Sequence, residues 1–384
     1  MLRAGRAGSP APDQATLERG DAGEANTAYV RKSNPSCIGR IIETMSPVDT
    51  LGRSLRSLRV SVTDRCNLRC QYCMPEDEYT WLAREDLLHF EEISRLVDVF
   101  VAIGIDRIRL TGGEPLLRRD LPDLIAQLAA KPALTDISLT TNGILLAESA
   151  AALKDAGLRR VNISLDTLLP QRFIELTRQD SHARVISGIE TAARIFDGLK
   201  LDSVVMRGVN DDELVPLLDY GGRIGAEVRF IEYMDVGGAT RWASNLVVAR
   251  REILERLTKH FGAVHPVEEP ASTAPADRFV LPDGRVFGII SSTTEPFCQA
   301  CDRARITADG MFYTCLYGTD GLDLRGPLRA GGSSQELIEA LNARWVRRAD
   351  RGAEERLAMR DRSVYLPVET LKADPHLEMH KRGG

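Results

Sequence analysis

The chain has 384 residues, enough for two or three domains with sizeable cores and too many for a small disulfide scaffold. Hydrophobic residues at 43% and charged residues at 27% exclude wholesale disorder and a fibrous protein. Fifty basic against 55 acidic residues give a formal charge of -5, which argues against a surface that coats nucleic acid but leaves room for a local basic pocket holding an anion.

In chain order, residues 1 to 47 are rich in Ala, Gly, Ser and Pro and lack hydrophobic periodicity, so a flexible extension is expected. Asp13, Glu18, Asp21 and Glu24 interleave with Arg3, Arg6 and Arg19, which speaks against an acid-poor targeting presequence. From Arg59 onward, β-rich runs alternate with helical patterns. Strands are expected at Arg59 to Thr63, Asp106 to Thr111, Asp136 to Thr141, Arg160 to Asp166, Lys200 to Met206 and Glu227 to Tyr233. Phe90, Ile93, Leu96, Val97, Phe100 and Val101 recur at helical spacing after the first, and Asp120 followed by Pro122 marks the start of the next helix. Further helical patterns fall at about Ala147 to Ala156, Arg184 to Phe196 and Asp211 to Ile224. Six strands linked by helices predict an α/β fold over residues 48 to 240, with a parallel sheet curled into an open, partial barrel. Its chemistry belongs at the carboxyl ends of the strands. Residues 241 to 384 change character, with a helix at Val248 to Phe261 and hairpin turns at Asp283-Gly284 and Asp309-Gly310. They predict a smaller, separate α+β module. No apolar run reaches the ~18 residues that span a bilayer, and a soluble, cytoplasmic protein is expected.

Cysteines stand at 37, 66, 70, 73, 298, 301 and 315. The odd total, the tight spacings and the lack of a secretory apolar segment favour metal ligation over disulfides. Cys66, Cys70 and Cys73 directly follow the first strand and can converge on a cubane cluster or on zinc. Three ligands leave one position empty. A structural zinc site would be closed by a fourth ligand, and His89 lies far on in a helical pattern, so an open iron fits better. A plain electron carrier would show ferredoxin spacing with a terminal Cys-Pro. In the second group, Cys298, Cys301 and Cys315, zinc competes more strongly, because a CxxC among short strands often closes a zinc ribbon and His260, His265 or Cys37 can lend the fourth ligand. Against that, Cys301 opens Cys301-Asp302-Arg303-Ala304-Arg305, and guanidiniums beside thiolates suit an anionic ligand docking at a metal.

The run Cys66-Asn67-Leu68-Arg69-Cys70-Gln71-Tyr72-Cys73 resembles the signature of radical S-adenosylmethionine (SAM) enzymes, and Thr111-Gly112-Gly113-Glu114-Pro115 is similar to their GGE motif. With the second triad, Cys73-Met74-Pro75, Thr140-Thr141-Asn142-Gly143, Ile163-Ser164-Leu165-Asp166, Arg229-Phe230-Ile231-Glu232 and the closing Gly383-Gly384, residues 48 to 384 resemble the MoaA family of GTP 3′,8-cyclases of molybdenum cofactor biosynthesis. The resemblance implies a partial barrel of the radical SAM type, its mouth closed by the C-terminal module, and two 4Fe-4S clusters, one on each cysteine triad. The first would chelate SAM and cleave it to a 5′-deoxyadenosyl radical, which takes hydrogen from the ribose 3′ carbon of GTP. Attack on carbon 8 then gives 3′,8-cyclo-7,8-dihydro-GTP. SAM contacts carried over are Tyr72, Gly113, Ser164 and Met234. GTP contacts are Arg59, Arg109, Thr140, Lys200, Arg303, Ala304 and Arg305, with an open iron of the second cluster for the guanine.

On their own, Ser164 reads as a turn cap, Met234 as core filling and Lys200 as a solvated strand start. The implied partners are a low-potential electron donor and, downstream, a MoaC-like cyclic pyranopterin monophosphate synthase. A homodimer is compatible with the resemblance, whereas nucleic acid and membrane are not implied. Two rival readings are a peptide-modifying SAM enzyme with an auxiliary cluster, which ordinarily carries more C-terminal cysteines, and a zinc-stabilised binding protein resting on the CxxC alone.

Overall fold

The computed structural model describes residues 46–268 and 273–383. The extension expected up to residue 47 falls almost wholly outside the described residues, as does Cys37.

The first half alternates strand and helix: β1 (Ser57–Ser61), α1 (Phe90–Ala102), β2 (Arg107–Thr111), α2 (Leu121–Ala129), β3 (Asp136–Thr141), α3 (Leu146–Asp155), β4 (Arg160–Ser164), α4 (Pro170–Thr177), α5 (His182–Ile195), β5 (Lys200–Val205), α6 (Leu214–Ile224) and β6 (Glu227–Glu232). Burial alternates along β1, β2 and β5, whereas β3, β4 and β6 each bury three residues in a row. Leu58 and Val60, Ile108 and Leu110, and Ile137 and Leu139 join one core with Ile93, Leu96, Val97 and Phe100 of α1. The start of α1 is fixed by a reciprocal cap, with Glu92 Oε2 accepting from the His89 amide at 2.7 Å. Asp120 does precede α2, but it sits at φ 58° and its side chain makes no capping bond. Helix α4, absent from the periodicity reading, begins at Pro170, whose fixed φ suits a first helical position.

The second half comprises α7 (Arg250–Phe261), β7 (His265–Pro266), β8 (Asp277–Val280), β9 (Val286–Ile290), β10 (Arg303–Ile306), β11 (Met311–Tyr313), β12 (Leu322–Asp323), α8 (Arg325–Arg329), α9 (Ser334–Val346), α10 (Gly352–Leu357) and α11 (Val368–Ala373). Both expected hairpins form, β8 with β9 and β10 with β11. The second cysteine group, however, does not sit on a sheet of its own. β10 pairs in parallel with β1 and β9 in parallel with β6, so the hairpins extend both edges of the first sheet in the order β12-β11-β10-β1-β2-β3-β4-β5-β6-β9-β8-β7.

Register then aligns polar residues. Arg305, Arg59, Arg109, Ser138 and Arg160 stand in line across five strands, Thr140, Asn162, Lys200 and Glu227 across four, and Ser164, Asp202 and Arg229 across three. With a side-chain period of two, these rows share the face opposite the helices. Residues from β1 to β6, β9 and β10 line one cavity of about 790 Å³, so the sheet curls around it. No helix of the described residues is long and apolar enough to cross a membrane.

Candidate active site inside the curled sheet

The loop after β1 carries Cys66, Cys70 and Cys73, all free thiols that line the cavity. Its shape is set by backbone bonds: the Cys70 carbonyl accepts from the amides of Cys73 (3.0 Å) and Met74 (2.8 Å), and α4 holds the amides of Arg69 and Gln71 through the carbonyls of Thr177 (2.9 Å) and Leu176 (3.0 Å). Burial pushes the Cys66 thiol up to about 11, and burial plus the charge of the neighbouring thiols raises Cys70 and Cys73 as well. Thiols so placed ionise only against a metal.

The second triad faces the same cavity. Cys298 and Cys301 flank a 3-10 turn, and Cys315 follows β11. Burial works against the Cys301 thiolate, yet Arg303 and Arg348 bring its pKa down to about 6. His260 and His265, weighed as a fourth zinc ligand, do not line the cavity. Sulfurs sharing one zinc at about 2.3 Å would lie about 3.8 Å apart. Among the described residues no three His, Cys, Asp or Glu side chains are grouped to hold a single ion. Each triad offers three free thiols to the cavity, donors suited to a metal centre.

Tyr72, Gly113, Ser164 and Met234 line the cavity near the first triad. The Tyr72 hydroxyl donates to Asp166 Oδ2 at 2.8 Å, and Asp166 Oδ1 accepts from the Val204 amide at 2.8 Å. Gly113 has a structural reason to lack a side chain as well, since a Cβ would meet the Arg65 carbonyl oxygen at 2.3 Å. The adjacent Glu114 is buried and accepts from Thr141 Oγ1 (2.7 Å), the Asn142 amide (2.7 Å) and the Leu116 amide (3.0 Å). It ties the loop after β2 to the end of β3, and burial raises its pKa to about 7.

Arg59, Arg109, Thr140, Lys200, Arg303 and Arg305 also line the cavity, whereas Ala304 turns its side chain into the core on the opposite face of β10. Arg109 Nη1 donates to Thr140 Oγ1 at 3.2 Å. Burial, followed by the charges of Arg305, Arg109 and Arg303, puts Arg59 well below the usual guanidinium range. Burial likewise lowers Arg109 and Arg305 to about 10 and Lys200 to about 8. Guanidiniums stay charged, so these shifts reflect the cost of burying positive charge, offset at Lys200 by Glu227 at 3.6 Å. An anion relieves it.

Several residues here gave no signal in the sequence. Asp49, Arg53 and Arg348 pack behind the second triad, and Asp235, after β6, pairs with Arg356 and Arg362. Apart from Asp49 with Arg53, four residues on, these pairs join segments far apart in the chain. The tail, by contrast, does reach the cavity, with Met379 and His380 on its wall.

Two family models match, the Radical SAM superfamily over residues 60–221 and Molybdenum Cofactor Synthesis C over residues 226–354. GTP 3′,8-cyclase 1 of Mycobacterium tuberculosis is 54% identical over 341 residues, covering 88% of this chain and 95% of the relative. The GTP 3′,8-cyclase of Acidothermus cellulolyticus is 47% identical, covering 80% and 87%, and that of Staphylococcus aureus 42%, covering 81% and 93%. Among solved structures, Streptococcus suis SuiB bound to S-adenosylmethionine aligns with a TM-score of 0.54 at 14% identity, covering 75% of this chain and 68% of that one, a likeness of fold. With two thiol triads and a ladder of cations around one cavity, and relatives matched over nearly their full length, the chain belongs to the GTP 3′,8-cyclase family of radical SAM enzymes.

Proposed function

We propose that this protein cyclises GTP to 3′,8-cyclo-7,8-dihydro-GTP, the first step of molybdenum cofactor biosynthesis, with two 4Fe-4S clusters and SAM. The observation that carries this is that both triads and the cation ladder face one cavity. Cys66, Cys70 and Cys73 would hold one cluster and Cys298, Cys301 and Cys315 the other. Bound at the first, SAM supplies on reduction a carbon radical able to take hydrogen from a ribose carbon.

The chain's own residues position and shield. Tyr72, Gly113, Ser164 and Met234 form the wall for SAM, and Tyr72 is braced by Asp166. Arg59, Arg109, Lys200, Arg303 and Arg305 gather the triphosphate, whose charge replaces their mutual repulsion, and Thr140 is oriented by Arg109. Ala304 contributes through its backbone, between two arginines that flank the substrate. The docked C-terminal segment keeps water from the radical. We assign the barrel to residues 48–240 and the auxiliary-cluster and substrate region to 241–384. The setting is cytoplasmic, with a low-potential donor supplying electrons and a cyclic pyranopterin monophosphate synthase consuming the product.

Anaerobic protein given GTP, SAM and dithionite should yield 5′-deoxyadenosine and the cyclised nucleotide, identified by mass. It should contain about eight irons per chain. Intact GTP despite full iron content would refute the reading.

A further inference from the structure

Behind the second triad lies a buried ion network that the cyclisation chemistry leaves unused. Arg53 and Arg348, with side chains 3% and 1% exposed, share the carboxylate of Asp49, whose side chain is 0% exposed. Arg53 Nε donates to Asp49 Oδ2 at 2.6 Å, while Arg348 Nη1 lies 3.5 Å from the same oxygen. Asp49 Oδ1 accepts from the amides of Leu51 and Arg53, both at 2.9 Å. The two guanidiniums then reach the cysteine turn. Arg53 Nη1 donates to the Cys298 carbonyl at 2.7 Å, Arg348 Nη1 donates to the Cys301 carbonyl at 2.8 Å, and Arg348 Nη2 donates to Cys301 Sγ at 3.4 Å. Trp345 closes the arrangement, its ring lying 4.4 Å from the Arg348 guanidinium and its Nε1 donating to the Arg53 carbonyl at 3.0 Å.

A turn before β1 and the end of α9 thus clamp one CxxC from opposite ends of the chain. Two buried guanidiniums are costly unless anions face them, and Arg53 Nη2 has no partner among the described residues. Asp49 faces both and Asp350 Oδ2 lies 3.5 Å from Arg348 Nε, which leaves Arg348 Nη2 aimed at the Cys301 sulfur. From this geometry we infer that Arg348, held by Asp49, is a positioning residue that fixes the Cys301 sulfur and sets the reduction potential of the centre on Cys298, Cys301 and Cys315. The inference rests on the proposal that this triad holds a cluster. Reduction adds negative charge to such a centre, so a cation donating to one of its sulfurs stabilises the reduced form and raises the potential.

The test uses the full-length chain with Cys66, Cys70 and Cys73 changed to Ser, so that only the second centre reports. This parent should hold about four irons, and its midpoint potential is read by a redox titration followed by electron paramagnetic resonance. Arg348→Gln should shift the midpoint to lower potential, Arg348→Lys should recover part of the shift, and Arg347→Gln, a charge removed at an exposed neighbour, should leave it in place. An unchanged midpoint in Arg348→Gln at full iron content overturns the inference. If Arg348→Gln folds, by circular dichroism, but fails to load iron that Arg348→Lys and Arg347→Gln both load, the positioning role stands on that loss. Iron missing from the parent itself would overturn the second cluster and the inference with it, whereas a loaded parent with an unmoved midpoint removes the inference alone.

Discussion

Arg59 Nη1 donates to the carbonyl of Gly383 at 2.7 Å, joining the first strand to the last described residue of the chain. Arg305 Nη1 reaches the same oxygen at 3.1 Å, so two cavity cations meet on one peptide group. Gly383 has φ +65°, and a Cβ there would come within 1.8 Å of Thr111 Oγ1. The tail is anchored just before it: Lys381 and Arg382 are fully buried, and Arg382 Nη1 donates to the Leu316 carbonyl at 3.0 Å. Gly383→Ala should therefore unseat the end of the tail and slow cyclisation on the order of tenfold, the equivalent of about 1.4 kcal/mol in the barrier. Iron content should stay unchanged. Deleting both glycines or appending a C-terminal tag should act in the same direction, and equal anaerobic rates for all these forms would reject the idea.

How much of this was legible beforehand depended on how local each signal was. The strands of the barrel were found within about two residues because their alternation and flanking helices are local patterns. The pairing of β10 with β1, and with it the alignment of Arg305 beside Arg59, is a contact between distant segments and has no local signature. The cysteine triads stood out because their ligands are neighbours in the chain. Asp49 and Arg348 did not, since a lone acid in a turn and an arginine in a charged run look like surface.

The two triads should separate in their effects. Cys66→Ser, Cys70→Ser or Cys73→Ser should abolish 5′-deoxyadenosine formation, because each removes a ligand from the site where SAM is cleaved. Changing Cys298, Cys301 or Cys315 should leave the first centre's spectrum in place and stop GTP turnover. Variants of the second group that lose only thermal stability would return the zinc ribbon to favour.

Arg305 is buried and has no carboxylate within ion-pair distance among the described residues, its acceptors being the carbonyls of Arg382 and Gly383. Arg305→Ala should weaken GTP binding by ~1.5–3 kcal/mol, the worth of one charge-assisted contact. Arg305→Lys should recover only part, since a point charge does not reproduce a planar fork. Arg303→Ala should act alike but less strongly, because Arg303 is less buried and leans on the Phe297 ring at 4.7 Å. Calorimetry with iron-replete protein gives the affinities, and unchanged binding in both alanine variants would remove these arginines from the site.

Asp235 is completely buried, with Arg356 Nε and Arg362 Nε each at 2.7 Å from its Oδ2 and the Tyr317 hydroxyl at 3.3 Å from Oδ1. It joins the segment after β6, which carries Met234, to the loop after Cys315. Removing its charge strands two guanidiniums, so Asp235→Asn should cost ~3–5 kcal/mol of stability. A lowered urea midpoint at unchanged slope would show it, and a midpoint equal to that of the native protein would refute it.

The tail's docking should also depend on pH, through one imidazole. His376 Nε2 lies 2.7 Å from Asp309 Oδ2 and His376 Nδ1 lies 3.1 Å from Asp374 Oδ1, while the His376 carbonyl accepts from Arg382 Nε at 2.6 Å. The hydrogen bond to Asp309, partly opposed by burial, raises the imidazole above its ordinary value of about 6.5. The folded chain therefore holds this proton more tightly than the unfolded one. Its stabilisation is complete below about pH 6.5 and is lost as the pH rises through the raised folded value. Asp309 works from the other side: although burial opposes it, its bonds to His376 and Thr307 hold its carboxyl below the usual range. That contribution is present above about pH 3.9 and is lost in acid as the pH falls through the depressed folded value. Between these limits the pair is ionised and the tail is held hardest. His376→Gln should accordingly lower the thermal midpoint most near pH 6 and least near pH 9, and hydrogen exchange in the native protein should quicken over residues 374–383 as the pH rises, beyond the intrinsic base-catalysed increase. A midpoint difference between native protein and His376→Gln that is the same at both pH values would show that the charge on this imidazole does not hold the tail.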